Sequence, residues 1–192
     1  MDFTEILQRR RTIRRFAQRP VADTDLNALL EAARLASSAA NRQPLRYIVV
    51  RTPSLVAQLL PLTAWAALVK PHRTPILGQS APSAFLAVTV PADAHSEWTQ
   101  ADAGAAIQSI EFGAVNLGLG CCWIGAFQRE KVAELLQLPA SQKLLYLVAV
   151  GYPDETPCHE DAPDENHLNY YLDADDQLHV PKLTTLQIAV WK

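Results

Sequence analysis

The sequence predicts a mixed domain, α+β or α/β, and three observations carry that expectation. Short β-branched or aromatic runs, "RYIVV" at 46–50, "AFLAVTV" at 84–90 and "KLLYLVAVGYP" at 143–153, read as strands. Between them lie stretches whose apolar residues recur at helical spacing, notably "TDLNALLEAARLASS" and "QADAGAAIQSIEFGAVNLGLG". A chain of 192 residues with 49% hydrophobic and 19% charged content is long and apolar enough to bury a real core and belongs with folded, soluble domains.

Asp2 with Glu5 three residues later has the pattern of a capping pair, and Phe3, Ile6 and Leu7 form an apolar stripe, so a first helix is expected to run to about Arg10. Asp23 is placed to cap a second helix carrying Leu26, Leu29, Leu30 and Ala33 at helical spacing. The polar turn "SSAANRQP" follows, then the strand 46–50, then "PSLVAQLLPL", which opens with proline where a helix tolerates it best. The proline-punctuated stretch 61–82, with Trp65, His72 and Arg73, reads as helix fragments and loop, a lid over a substrate face. The strand 84–90 has no polar face and is expected to be buried on both sides. A long helix over 100–120 comes next, with Ile107, Ile110, Ala114 and Leu117 in register. Five of the seven glycines lie between Gly104 and Gly125; glycine inside a helix costs roughly 0.5–1 kcal/mol relative to alanine, so Gly104 and Gly113 imply close approach by another backbone or a ligand. "CCWIGAF" reads as strand and turn, "QREKVAELLQL" as an amphipathic helix, and 143–153 as an interior strand. Beyond Pro153 the acidic "DETPCHEDAPDENH" reads as solvated linker and "YYLDADDQLHVPKL" as a late hairpin or extension. The expectation is one domain over 1–192, with 154–192 an acidic loop and C-terminal extension.

Composition excludes several function classes. A formal net charge of −3 argues against broad binding to nucleic acid, although "RRRTIRRF" packs five arginines into eight positions. The apolar stretch "FGAVNLGLGCCWIGAF" is 16 residues long and broken by four glycines and Asn116, too short to span a membrane. The amino-terminal "MDFTEILQRR" lacks the apolar core of an export signal, and three cysteines, two of them adjacent, make no disulfide framework; a cytoplasmic location is expected. The phosphate loops G-x-G-x-x-G after a strand and G-x-x-x-x-G-K-[ST] are absent, as is the G-x-S-x-G elbow. His72, His95, His159, His167 and His179 are scattered without helical pairing, so no metal is expected.

Three stretches are rich in groups that a planar, phosphate-bearing ligand needs. In "RRTIR" an extended chain gives Arg10, Thr12 and Arg14 a common direction, and guanidinium pairs with phosphate in a bidentate manner. In "SSAANRQP", Ser38, Asn41 and Gln43 supply donors and acceptors in a turn closed by Pro44. In "WIGAF", Gly125 lets a backbone N–H approach a ligand without side-chain obstruction.

In this order the three stretches resemble the nitroreductase family of flavin mononucleotide (FMN) enzymes: R-x-S/T-x-R as "RRTIR", S-x-x-N-x-Q-P as "SAANRQP", and the alanine- and glycine-rich helix leading into "GLGCCWIGAF". The resemblance runs from the first helix to about Pro153. It implies an α+β fold with a central, mostly antiparallel sheet flanked by helices, and an interlocked homodimer with the long helix in the interface and FMN between the chains. By the same resemblance Arg10 and Thr12 hold the FMN phosphate and ribityl end, Arg11 supports them, and Arg14 meets the N1/O2 edge of the ring. Ser38, Asn41 and Gln43 come from the partner subunit, the Gly125 N–H reaches N5 with Ile124 and Ala126 beside it, and Lys182 is the one basic residue near the carboxyl end offered to the phosphate. Ser37 and Leu45 stand where the family usually has proline and an aromatic residue.

The implied reaction passes hydride from NADH or NADPH through FMN N5 to an electron-poor small molecule, a nitroaromatic or quinone, by a ping-pong mechanism. No side chain is assigned as acid or base, because the flavin carries the chemistry. A dehalogenase, enone reductase or oxidase on the same fold, or a non-catalytic FMN-binding redox sensor, stays open beside it.

Overall fold

The computed structural model describes residues 1–94 and 96–192; His95 lies outside the described residues. The strand β5, Gln142–Pro153, organises the fold. One of its edges pairs with β3 (Ala84–Pro91), which pairs in turn with β2 (Arg46–Val50). The other edge is shared by β4 (Gly120–Ile124) and the two-residue β1 (Phe16–Ala17). Every pairing in this five-stranded sheet is antiparallel, which decides for α+β between the two classes the residue pattern left open.

Strand alternation sends Phe85, Ala87, Leu147 and Ala149 to one face and Leu86, Val88, Val148 and Val150 to the other, and all eight are 0% exposed. The first face is covered by α3 (Pro53–Leu59) and α5 (Arg129–Leu135) through Val56, Leu59 and Val132. The second is covered by α2 (Asp23–Arg34) and α4 (Glu97–Asn116) through Leu26, Leu29, Ile107 and Ile110. A Cβ on Gly113 would lie 3.4 Å from Leu29 Cδ2 and 3.5 Å from Ala32 Cβ, so this glycine admits α2 of the same chain. Gly104 is different: a Cβ there would meet only Trp123, at an ordinary 3.8 Å.

Local signals hold at the amino terminus and shift elsewhere. Asp2 accepts from the Glu5 N–H at 2.8 Å and caps α1, Phe3–Arg9. Asp23 is the first helical residue of α2, with Ala22 in the cap position, so its charge meets the helix dipole without a capping bond. The expected lid is partly interior: Trp65 is 4% and Arg73 2% exposed, while His72 stays exposed.

The acidic segment is not a solvated linker. It contains β6 (Cys158–Asp161), which runs parallel to β8 (Leu178–Lys182), and β8 pairs antiparallel with β7 (Tyr171–Leu172), the hairpin of the two alternatives. A short α6, Thr185–Ile188, follows. Glu160 lies 2.9 Å and Asp173 3.1 Å from the two ring nitrogens of His179, and Tyr171 stacks on the imidazole at 4.8 Å. Donating to the Glu160 and Asp173 carboxylates raises the His179 pKa, and accepting from His179 lowers that of Glu160. A raised folded pKa stabilises fully below the unfolded value of about 6.5 and is lost as pH rises through the folded one. The lowered carboxylate works oppositely and fails in acid. Amide protection in Tyr171–His179, measured relative to the intrinsic base-catalysed exchange rate, is therefore expected to be greatest in mildly acidic solution and to fall toward alkaline pH, in step with an NMR titration of His179; protection indifferent to that titration would refute the pairing.

Candidate functional site

After α1 the chain turns extended at Arg10 and runs beside β4, with Thr12 bridged in parallel to Cys121 and the Ile13 N–H donating to the Cys121 carbonyl at 2.9 Å. The fit depends on two glycines. A Cβ on Gly120 would sit 2.5 Å from Ile13 Cγ1, and one on Gly151 2.8 Å from Phe16 Cδ1. Burial alternates along the segment: Arg11 and Ile13 are buried, Arg10, Thr12 and Arg14 half-buried.

Three cations converge here. Lys182, at the end of β8, has its pKa lowered by desolvation and then by the charges of Arg10 and Arg11, and Arg11 is lowered by desolvation and then by Arg10. Arg10 has one counter-charge, Glu111 on α4 at 3.4 Å, whose own carboxyl is pushed up by burial. Arg11 has no carboxylate partner among the described residues. Its Nη1 donates to the Leu7 carbonyl at 3.4 Å and to the Arg10 carbonyl, and its Nε is buried with no partner. A buried, unpartnered guanidinium N–H between two further cations is the signature of an anion site.

Arg14 is held through its backbone. Glu155 Oε1 accepts from the Arg14 N–H at 2.5 Å and the Arg15 N–H at 3.1 Å, while Oε2 accepts from Arg73 Nε at 2.7 Å. Arg73 also donates to Asp176 Oδ1 at 2.9 Å and to the Asp176 carbonyl at 2.6 Å, and Asp176 Oδ2 accepts from Arg15 Nη1 at 2.7 Å. The Arg14 guanidinium itself makes no ion pair among the described residues and lies 5.1 Å from the Tyr170 ring centroid.

Gly125 follows β4 directly, four residues beyond Cys121 and thus about 13 Å along the strand direction from the Thr12 bridge. The turn is fixed by the Ala64 N–H on the Ala126 carbonyl and the Gln128 N–H on the Leu62 carbonyl, both 2.9 Å. Gly125 is exposed, and its N–H has no acceptor among the described residues. Ile124 is buried beside it and Ala126 exposed. The cysteines before it are core residues: burial pushes the Cys122 thiol up to about 12 and raises the Cys121 thiol as well.

Ser38, Asn41 and Gln43 stand elsewhere. Their turn precedes β2, which is separated from β4 by β3 and β5, roughly 14 Å across the sheet. Ala40, Asn41 and Gln43 all have left-handed backbones, φ 50°, 54° and 48°, a strain of roughly 1–2 kcal/mol for each non-glycine residue. The turn is fastened by the Ala39 N–H on buried Asp102 at 2.7 Å, by the Gln43 N–H on Ser38 Oγ at 3.1 Å and by Gln43 Nε2 on Asn41 Oδ1 at 2.9 Å. A cavity of 610 Å³ opens beside it, lined in part by Ser38, Gln43, Tyr47 and Asp102. Within one chain this turn and the arginine segment do not form a single site.

The nitroreductase family model matches residues 7–152, which include the arginine segment, the strained turn and the β4 glycine. The chain belongs to the nitroreductase family. It is 32% identical over 161 residues, 79% of this chain and 85% of the other, to a candidate NADH dehydrogenase/NAD(P)H nitroreductase of Archaeoglobus fulgidus. An FMN-dependent nitroreductase of Clostridium difficile superposes with a TM-score of 0.68 at 22% identity, over 87% of this chain and 95% of the other. A Desulfovibrio desulfuricans protein solved in complex with FMN superposes equally, at 0.68 and 25% identity, over 86% and 94%. In this nitroreductase-family chain, Arg73, expected in a lid, instead holds the arginine segment together with Glu155 and Asp176, and neither those two carboxylates nor Asp102, which holds the turn, was singled out by the sequence reading.

Proposed function

We propose that this nitroreductase-family protein binds FMN and is an oxidoreductase that uses NADH or NADPH to reduce an electron-poor small molecule. The buried, partnerless Arg11 Nε, flanked by Arg10 and Lys182, carries the reading, because a dianionic phosphate satisfies that N–H and relieves the repulsion among the three cations. Arg10, Arg11, Thr12 and Lys182 hold the phosphate. Arg14 meets the N1/O2 edge of the ring, and the acceptor-less Gly125 N–H, with Ile124 and Ala126, meets N5. FMN, when bound, supplies hydride acceptance and release at N5, so that nicotinamide and a nitroaromatic or quinone react in alternation. The chain contributes binding, a fixed cation at the pole where reduction accumulates negative charge, and a backbone donor at the other pole. No side chain is assigned as acid or base.

The same reading makes the protein a homodimer, in which Ser38, Asn41 and Gln43 of the partner subunit complete each site. The separation of the turn from the arginine segment supports it, as do exposed apolar side chains on α1 and near the ends of α4, with Phe3 and Trp98 each 61% exposed, and along the tail, where Trp191 is 91% exposed. Residues 1–192 then act as one unit whose 154–192 extension closes on the cofactor segment. Among the described residues no helix is long and apolar enough to cross a membrane.

An absorbance spectrum of the purified protein, followed by anaerobic NADH and then NADPH, tests the function. Two flavin bands that bleach support the reductase. Bands that persist with both donors leave a flavin-binding sensor or an enzyme with another donor, and no bands after added FMN refute the cofactor.

A further inference from the structure

Glu155 is placed where it could cancel the charge that the flavin needs. Its side chain, only 5% exposed, lies against the backbone of Arg14, and a carboxylate released there has that residue's guanidinium as a natural partner. Here both of its oxygens are taken: Oε1 by two consecutive backbone N–H groups, Oε2 by Arg73. Arg73 is 2% exposed and is fixed at its far end by Asp176, which also holds the side chain of Arg15. The result is a closed ring from the arginine segment through Glu155, Arg73 and Asp176 back to Arg15. The guanidinium of Arg14 stays outside it, unpaired and beside Tyr170.

We propose that Arg73 is a positioning residue: it holds the Glu155 carboxylate on the Arg14–Arg15 backbone and off the Arg14 guanidinium, so that Arg14 faces the cofactor as an uncompensated cation. The inference rests on the FMN reading above. An uncompensated cation at the N1/O2 edge favours reduced, negatively charged FMN over the oxidised form, so the device sets the ratio of the two affinities.

The experiment measures dissociation constants of oxidised and reduced FMN, by anaerobic fluorescence titration, for the wild type, Arg73→Met, Arg73→Lys and the double variant Arg73→Met/Glu155→Gln, with a thermal melt of each apoprotein. Wild type that binds no FMN refutes the cofactor reading. Given wild-type binding, Arg73→Met is expected to lose about tenfold more affinity for reduced than for oxidised FMN, the effect of one released charge near Arg14. In the double variant residue 155 is neutral, and the ratio is expected to return to within about twofold of wild type. Arg73→Lys cannot grip Glu155 and Asp176 together, so it shifts the ratio in the same direction by less, and it carries the test if Arg73→Met does not fold. A merely structural Arg73 lowers the melting temperature and both affinities together. An unchanged ratio in the folded single variants, or a double variant as shifted as the single, overturns the proposal.

Discussion

Arg11→Met is expected to purify without flavin, its FMN dissociation constant raised roughly 10- to 100-fold, while its apoprotein melts no lower than the wild type. A charge-assisted hydrogen bond contributes roughly 1.5–3 kcal/mol, and each 1.4 kcal/mol is tenfold in affinity. The stability side follows from the same atom. Arg11 Nε is buried without a partner, a situation costing roughly 1–3 kcal/mol, and its charge is repelled by Arg10 and Lys182. Methionine keeps the unbranched stem and removes both penalties. Arg10→Ala and Arg14→Ala are also expected to weaken FMN binding, without a gain in stability. A fluorescence titration beside a thermal melt checks all three, and full flavin content in Arg11→Met would remove the basis of the anion site.

Gly120→Ala is expected to destabilise the protein by roughly 1–3 kcal/mol, a drop of about 5 °C in melting temperature, and to weaken FMN binding with it. The added Cβ would stand 2.5 Å from Ile13 Cγ1 and 2.8 Å from Ile13 Cβ, so rotating the Ile13 side chain cannot relieve the clash and the segment has to move. Ile13 lies between Thr12 and Arg14, which places the displacement inside the proposed cofactor site. Gly125→Ala is the contrast. Its Cβ would meet Tyr146 Cε1 at an ordinary 3.7 Å, so the melt is expected to stay within about 1 °C of wild type while FMN affinity falls, if the ring lies against that backbone. Equal melting of Gly120→Ala and wild type would show that the arginine segment is not pinned against β4.

Much of the fold was legible because the elements that form it are patterned locally. The strand expected at 46–50 is β2 residue for residue, and 84–90 falls one residue short of β3, since β-branched runs without a polar face have few other places to go. The acidic stretch after Pro153 was misread for the opposite reason: in β6 the polar residues His159, Glu160 and Asp161 conceal any apolar alternation, and the strand exists because β8 pairs with it. Gly120 was visible as one of a cluster of glycines, but that Ile13 needs its missing Cβ depends on where residues 10–16 cross β4.

The site divides along the same line. From the sequence alone came the candidates proposed to face the cofactor, the arginines, the Ser38–Gln43 turn and Gly125, because three short motifs in that order resemble those of the family. What only the tertiary structure decided is how they are held and which of them meet. Glu155 lies 141 residues from Arg14 and 82 from Arg73, and nothing local tells a carboxylate in an acidic run that it will be buried between them. The sheet order likewise puts the Ser38–Gln43 turn at the edge opposite β4. Periodicity and propensity act over one or two turns of chain, whereas charge pairing and proximity act through space, and the topology alone determines which distant residues share that space.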